Sequence, residues 1–507
     1  MHIDWIATIV FVILFILVAY VGFAAAAWRR GDLKLLNEWG LGGRQFGTIV
    51  CWFLIGGDLF TAYTFIAVPG SLFGIGAVGF FAVPYTIVVW PLVFFLMPRL
   101  WVAAKRYGYI TVSDWVQHRT DSSTLALAIA ITGIVATMPY IALQLVGMQV
   151  VIATLGFTGN GLVADIPLII AFLVLALYTY SSGLRAPALT AIIKDALIYI
   201  TCIVAAIYIP IKLGGYGHIF AAAGQALAAK KAPLILPPGA YAAYGTLALG
   251  SALALYMYPH AITAVFSAKS GGVIRRNSAL LGLYSLLLAF MALLGYFALA
   301  AHIRPQTPNF TVPALFQAMF PSWFLGVTFA AIVVGALVPS AVMSIAAANL
   351  FTRNIYKIYF RPGCSTAEEA SAAKIVSFLV KFGALIFVIF LPQQYAINFQ
   401  LLGGILISQT FPAVIFPLYT QWFHRWALLL GWAAGITAGI VMAVANKFAS
   451  SIYALHIGGF SYTAYAAITA LLLNVIVTAA FTAVFNALGV ARGQGADVEF
   501  KTTASAA

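Results

Sequence analysis

Runs of about twenty mainly apolar residues recur along almost the whole of this 507-residue chain, each long enough as a helix to cross the hydrocarbon core of a bilayer. Thirteen are read, at about 5–27, 46–68, 78–98, 123–156, 165–182, 187–211, 241–265, 278–301, 324–350, 373–391, 397–419, 427–446 and 463–488. Several exceed the minimum length, which fits tilted or interrupted helices. Backbone polar groups find no water in lipid, so the expected class is an all-α polytopic membrane protein. Only 7% of residues are charged, against roughly 25% in soluble domains, and no stretch offers a separate soluble domain.

Charge placement orients the chain. The first run is followed, not preceded, by Arg29 and Arg30, the reverse of a secretory signal, so it reads as an uncleaved helix with its N-terminus outside. With that start, twenty Lys and Arg residues, Lys194 among them, fall on the cytoplasmic side and five on the outer side, which predicts a cytoplasmic C-terminus. The net charge of +14 then reflects topology and attraction to anionic lipid, not nucleic acid. Cys51, Cys202 and Cys364 form no CxxC pair, so neither a disulfide framework nor a metal site is expected. A phosphate-binding GxxxxGK[ST] loop is absent, which argues against direct ATP drive. No cofactor is expected, and histidines scattered at span ends and in loops, such as His118, His302 and His424, do not make the cluster a membrane enzyme needs.

Within the second run the chain reads Gly56-Gly57-Asp58-Leu-Phe-Thr61-Ala-Tyr63-Thr64, followed by Pro69-Gly70. A carboxylate there needs a water-filled cavity, a partner or a proton, unless it is hydrogen-bonded to its own helix. The seventh run carries Gly250-Ser251 and then Tyr258-Pro259-His260. Glycine and proline loosen a helix and free backbone groups that only a protein-lined cavity satisfies. Two interrupted runs five spans apart are the pattern of an inverted-repeat transporter, whose broken helices bind substrate and ions at midplane. That predicts a five-plus-five core with one span before it and two after.

Thr61, Tyr63, Thr64 and His260 lie beside the interruptions and are candidate substrate-binding groups, although such side chains also serve helix packing. Gln144 and Gln149 read as interhelical hydrogen-bonding residues. Asp58, Asp195 and Lys381 are the ionisable residues clearly inside spans, with Lys194 placed near an inner end. Lys381 is too central to reach an interface, and three roles stay open to it. It pairs with Asp58 or Asp195, attracts a substrate carboxylate, or stands where a cation would bind and so makes a proton the coupling ion.

Five pieces, in order along the chain, resemble the sodium:solute symporter family. They are Gly42-Gly43-Arg44, Ile110-Thr-Val-Ser-Asp-Trp-Val-Gln-His-Arg119, Tyr140-Ile-Ala-Leu-Gln-Leu-Val-Gly147, Tyr178-Thr-Tyr-Ser-Ser-Gly-Leu-Arg-Ala186 and Phe351-Thr-Arg-Asn-Ile-Tyr356. The resemblance implies a leucine-transporter-type fold. Pro259-His260, Phe266, Arg275-Arg276 and the Gly57–Phe65 run are similar to members that carry short monocarboxylates such as acetate, lactate and pyruvate. A sugar is a poorer fit, because a sugar pocket needs several convergent polar side chains.

The family's sodium site departs in this chain. Counting back from Tyr356, the hydroxyl pair that the resemblance places on the eighth core helix falls on Val338 and Pro339. Ser340 and Ser344 follow and are the candidate sodium ligands if the site is shifted. On the fifth core helix the family's Thr-Asp is Thr190-Ala191 here, with Asp195 four residues later on the same face. Asp58 and Asp195 are therefore the expected ion-coupling acids, with sodium and proton both open.

The resulting expectation is a secondary symporter for a small monocarboxylate, driven by a cation gradient, in a plasma membrane of the bacterial inner-membrane kind. Another small solute such as an amino acid or pantothenate, or a passive channel, is the alternative. The expected divisions are residues 1–45 (extra span and inner loop), 46–211 (first repeat), 212–240 (an outer loop whose Ala-rich Phe220–Ala232 suits the interface), 241–419 (second repeat), 420–490 (two spans) and 491–507 (a disordered tail).

Overall fold

The computed structural model describes residues 3–28, 31–57, 59–157, 162–390, 396–493 and 495. The chain is mostly helical. Helix α1 (Trp5–Ala24) is followed by a helix in two parts. The first part is α2 (Thr48–Cys51, prolonged to Gly56 by π-helical turns) and the second is α3 (Val68–Ile75, entered through π-helical Tyr63–Ala67). Next come α4 (Ala82–Tyr107), α5 (Ser123–Thr154), α6 (Leu162–Ser182), α7 (Arg185–Lys212) and α8 (Tyr216–Ala229). A second interrupted helix comprises α9 (Tyr241–Leu255) and α10 (Pro259–Phe266), bent by 50°. Then follow α11 (Gly271–Ala300), α12 (Ser322–Phe351), α13 (Thr366–Phe390), α14 (Ile397–Ile407), α15 (Arg425–Ala445) and α16 (Ala466–Ala487). Among the described residues, nine helices are long and apolar enough to cross a membrane, or ten with the bent pair.

Local sequence starts and stops these helices. Side chains of Asp4, Ser122 and Ser270 accept from backbone N–H groups three residues on, at 3.0, 3.2 and 3.2 Å, and so cap α1, α5 and α11. Gly108, at φ +71°, ends α4 in a left-handed turn that a side chain would strain.

Burial sorts the helices into centre and rim. The apolar stretch of α12 is wholly buried, whereas those of α1 and α16 are 22% and 33% buried. Ile6, Ile9, Ile13, Ile16 and Tyr20 of α1 are exposed, as expected of a face that meets lipid tails. The α12 helix is thus the central post against which α1, α5, α7 and α13 pack.

Two segments differ from the sequence expectation. Phe220–Ala232 lies mainly within α8, whose Ile219, Ala223 and Leu227 are buried at helical spacing against protein. Tyr216 and Phe220 meet Phe297 and Tyr296 of α11 edge-on, and Lys230 Nζ donates to the Phe73 carbonyl at 3.1 Å. That segment is a helix docked on the end of α11, where its aromatic side chains meet Phe297 and Tyr296. The fold is also not purely helical. β1 (Ile452–Ile457) and β2 (Phe460–Tyr465) form an antiparallel hairpin between α15 and α16. Gly458-Gly459 makes its two-residue turn, with Gly458 at φ +58°, and this dipeptide between alternating residues was the legible sign. Tyr465 anchors the hairpin by donating its hydroxyl to the Leu401 carbonyl at 2.6 Å and its N–H to Thr246 Oγ1 at 2.9 Å.

Close helix approach depends on glycine at one place on α11. A Cβ on Gly295 would stand 2.3 Å from the Pro69 carbonyl oxygen and 3.0 Å from Leu72 Cβ, while one on Gly282 of the same helix would meet nothing. Gly295→Ala is expected to destabilise by about 1–3 kcal/mol through overpacking, read as a lower unfolding temperature in detergent. Gly282→Ala is expected to leave that temperature unchanged or slightly higher, since alanine is the better helix former.

Candidate functional site

The first interruption leaves the backbone between Gly56 and Tyr63 without a regular helical ladder, and neighbouring groups replace it. Leu59 N–H donates to Gly56 O at 3.1 Å and Thr64 N–H to Thr61 O at 3.0 Å, closing two tight turns. Gln144 of α5 reaches in from the side. Its Oε1 accepts from Ala62 N–H at 3.1 Å and its Nε2 donates to Thr61 Oγ1 at 3.3 Å. The Thr61 hydroxyl oxygen also accepts from Tyr63 N–H at 3.0 Å, and the Thr64 hydroxyl donates to Leu59 O at 3.0 Å. Both threonine hydroxyls therefore hold the unwound backbone. Asp58 falls in this stretch and lies outside the described residues.

Two carbonyls of the same stretch turn towards α7. The Lys194 ammonium donates to Gly57 O and to Phe60 O, the latter at 3.0 Å, and stands 2.9 Å from Asp195 Oδ1. Both side chains are fully buried. Gly57 permits this approach, since a Cβ there would lie 2.8 Å from Lys194 Nζ and 3.0 Å from Asp195 Oδ2. Lys194 is thus a buried charge within α7 rather than a loop charge. It sits nine residues into α7, about 14 Å along its axis. That depth, and the adjoining Asp195, were the signals in the sequence.

The second interruption faces the first. Ile55 and Leu59 from one, with Leu255, Tyr256, Ala261 and Ala264 from the other, line a single small apolar cleft. Tyr258, in extended conformation, precedes Pro259 at the first position of α10, where the missing N–H is not needed. His260 is fully buried, with its ring centre 5.4 Å from Tyr140 and 5.2 Å from Tyr258. Tyr258 in turn donates its hydroxyl to the Gln400 carbonyl at 3.0 Å. Tyr63, fully buried after the first break, meets Tyr85 edge-on at 6.1 Å.

Ser340, Ser344 and Lys381 belong to a different contact. Ser340 Oγ donates to Ala336 O at 2.8 Å and Ser344 Oγ to Ala341 O at 2.9 Å, so each bonds its own helix. Ser377 of α13 donates to Ser344 Oγ at 3.1 Å, and Lys381 Nζ donates to Ser377 O and Oγ at 3.3 and 3.4 Å. Lys381 also lines an apolar cleft with Leu145, Phe172 and Phe378, and forms no ion pair among the described residues. The pairing of Lys381 with Asp195 does not form, because Lys194 is already there. Where α12 lies against the first break, Gly335 approaches the Thr61 backbone, and Val334 and Val338 pack with Ala191 of α7 and Phe53.

Residues 39–435 match the sodium:solute symporter family. The chain belongs to that family. This symporter is 52% identical over 483 residues, 95% of its own length and 97% of the relative's, to a Rhizobium johnstonii protein named a monocarboxylate transport permease. It is 33% identical over 454 residues to an uncharacterized symporter of Bacillus subtilis, with 88% and 89% of the two chains covered. Its fold resembles that of a Na+-coupled sialic acid symporter solved in a substrate-bound outward-open state, with a TM-score of 0.78 over 97% of this chain and 99% of that one. At 15% identity that likeness carries the fold, not the substrate. The protein is a membrane transporter and not an enzyme, as the sequence led one to expect.

Gln144 supplies both a donor and an acceptor to the unwound segment. Gln144→Leu is expected to leave Ala62 N–H and its neighbours short of partners, at about 1–3 kcal/mol for a buried unsatisfied group. The expected outcome is an uptake rate at least about tenfold lower with the protein still in the membrane, measured as initial rate against immunodetected amount.

Proposed function

We propose that this symporter takes up a small monocarboxylate, coupled to a cation gradient by alternating access, with substrate and coupling groups gathered where the two interrupted helices face one another. The observation that carries this reading is that facing. Past the end of α2 the Gly57 and Phe60 carbonyl oxygens turn to the Lys194 ammonium, while the N-terminal end of α10 offers first-turn N–H groups and the positive end of a helix dipole to an anion. The substrate class is supported by the relative named a monocarboxylate permease, which this chain matches over 95% of its length.

In this reading His260 and Tyr63 line the substrate position, with Thr61 and Thr64 shaping the backbone that meets it. Asp58 and Asp195 take part in ion coupling. Ser340 and Ser344 on α12 are the ligands a shifted sodium site would use, and Lys381 on α13, bonded to Ser377, is a further group to attract the substrate carboxylate. The chain has thirteen spans, five-plus-five with one before and two after. The repeats occupy 46–211 and 241–419, the N-terminus is outside, the C-terminus is cytoplasmic, and the membrane is a bacterial inner membrane.

Labelled C2 to C4 monocarboxylates offered to vesicles that carry the protein are expected to enter, saturably and above the external concentration when an ion gradient is imposed. Equilibration without accumulation would mean a passive pore. Asp58→Asn is expected to abolish accumulation while the amount of protein in the membrane stays the same. Unchanged accumulation would remove Asp58 from the coupling machinery.

A further inference from the structure

Three arginines from distant parts of the chain converge on one polar pocket that shares no residue with the two breaks. Arg119 comes from the short helix Val112–Thr120, Arg425 opens α15 and Arg492 follows α16, and with Thr420 and Gln421 they line a volume of about 80 Å³. Hydrogen bonds hold the guanidinium groups in place. Arg119 Nε donates to Pro417 O at 3.0 Å, while Arg492 donates from Nη1 to Gln421 O at 3.2 Å and from Nε to Asn486 Oδ1 at 2.9 Å. Arg425 Nη1 donates to Asp121 O at 2.6 Å and stands 3.3 Å from Asp121 Oδ2, on a carboxylate whose side chain is 57% exposed. Each guanidinium carries five N–H donors, and the Nε–H of Arg425 is buried with no acceptor among the described residues. A Cβ on Gly493 would lie 2.7 Å from Asp121 Cβ and 2.8 Å from Arg425 Nη1, so glycine is what lets the chain after α16 close one side of the pocket.

The pocket lies where two helices pass from lipid to water. On α16, Phe481, Val484 and Leu488 are exposed and apolar, and Arg492 follows four residues after Leu488. On α15 the order is reversed, with Arg425 and exposed Trp426 ahead of exposed Leu430. Tyr419 and Trp422, on either side of Thr420 and Gln421, are also exposed. Tyrosine and tryptophan gathered at such a boundary mark the headgroup layer of a bilayer. Arg99 of α4 lies over the Tyr419 ring at 4.4 Å and brings a further positive charge to that layer.

The geometry points to this pocket as a binding site for the phosphate of an anionic phospholipid headgroup, with the acyl chains lying on the exposed faces of α15 and α16. The planar fork of arginine matches phosphate oxygens in pairs. Three such groups, one of them paired with Asp121, favour a lipid of net negative charge over one whose headgroup carries its own cation. A phosphate held there ties the start of α15 and the end of α16 to residues 119–121 ahead of α5. The inference goes beyond the transport reading and depends on neither the substrate nor the coupling ion.

The test uses the full-length protein purified in a neutral detergent and reads its unfolding temperature as phosphatidylglycerol is added. A saturable rise is expected, with little or none from phosphatidylcholine or from inorganic phosphate at the same concentrations. Arg425→Gln and Arg492→Gln are each expected to raise the half-saturating phosphatidylglycerol concentration at least about tenfold, the loss expected when a hydrogen bond between charged groups is removed. Arg276→Gln removes the same charge from an exposed position at the start of α11 and is expected to leave that concentration unchanged. Should Arg425→Gln fail to fold, Arg492→Gln, which alters an exposed side chain, carries the comparison. An equal rise with phosphatidylcholine, an equal rise with inorganic phosphate, an unchanged half-saturating concentration in either folded pocket variant, or an equal weakening in Arg276→Gln overturns the inference, and each of these leaves the transport reading standing.

Discussion

A peptide group in the middle of a bilayer must find a partner within the protein, and the course of α2 and α3 is governed by how that requirement is met at the first break. Regular helix would satisfy it at once. Here the chain gives up the helical ladder between Gly56 and Tyr63, and side chains take over its hydrogen bonds. Gln144 supplies both a donor and an acceptor, Thr61 and Thr64 close local turns, and Lys194 covers two carbonyls. Those partners come from α5 and α7, so the break can exist only while three helices keep their relative positions. A displacement of any one of them changes the hydrogen bonding of the others.

Burying an ion pair is seldom a net gain over apolar packing, since desolvation of both ions offsets their attraction, while removing one partner costs about 3–5 kcal/mol. Lys194 and Asp195 are therefore poorly explained as stabilising elements. Lys381 presents the contrasting case. Its ammonium rests on Ser377 beside an apolar cleft, where among the described residues no carboxylate balances it. Two lysines at the same level of burial thus have different surroundings, one on the break and one between α5, α6 and α13.

One end of the molecule is stitched together by the motifs that carry the family resemblance. Arg44 donates to Phe266 O at 3.3 Å and to the Tyr109 carbonyl, and Phe46 pairs with Ala268 in an isolated bridge, so the entry to α2 is tied to the exit of α10. Thr111 and Asp114 form a capping box, and both bind Asn354, at 2.6 and 2.8 Å. Arg185 pairs with Glu38, and Arg353 joins Glu369 at 3.1 Å. These residues tie together elements far apart in the chain. They do not themselves form the site between the breaks.

Apolar run length alone determined that the chain is a bundle of membrane helices, and Gly56-Gly57 with Tyr258-Pro259 determined where two of them come apart, because hydropathy and helix breaking are local properties. The family was legible in short motifs, and Asp195 in its position on one helix face. The hairpin at 452–465 escaped because a twelve-residue strand pair is hidden beside two apolar helices. Which side chains meet was decided only by tertiary structure. Lys194 finds Gly57 and Phe60, Lys381 finds Ser377, and Gln144 finds Ala62, since these pairings follow from helix rotation and crossing, which are set by the packing of all the helices around α12 and by no single stretch of sequence.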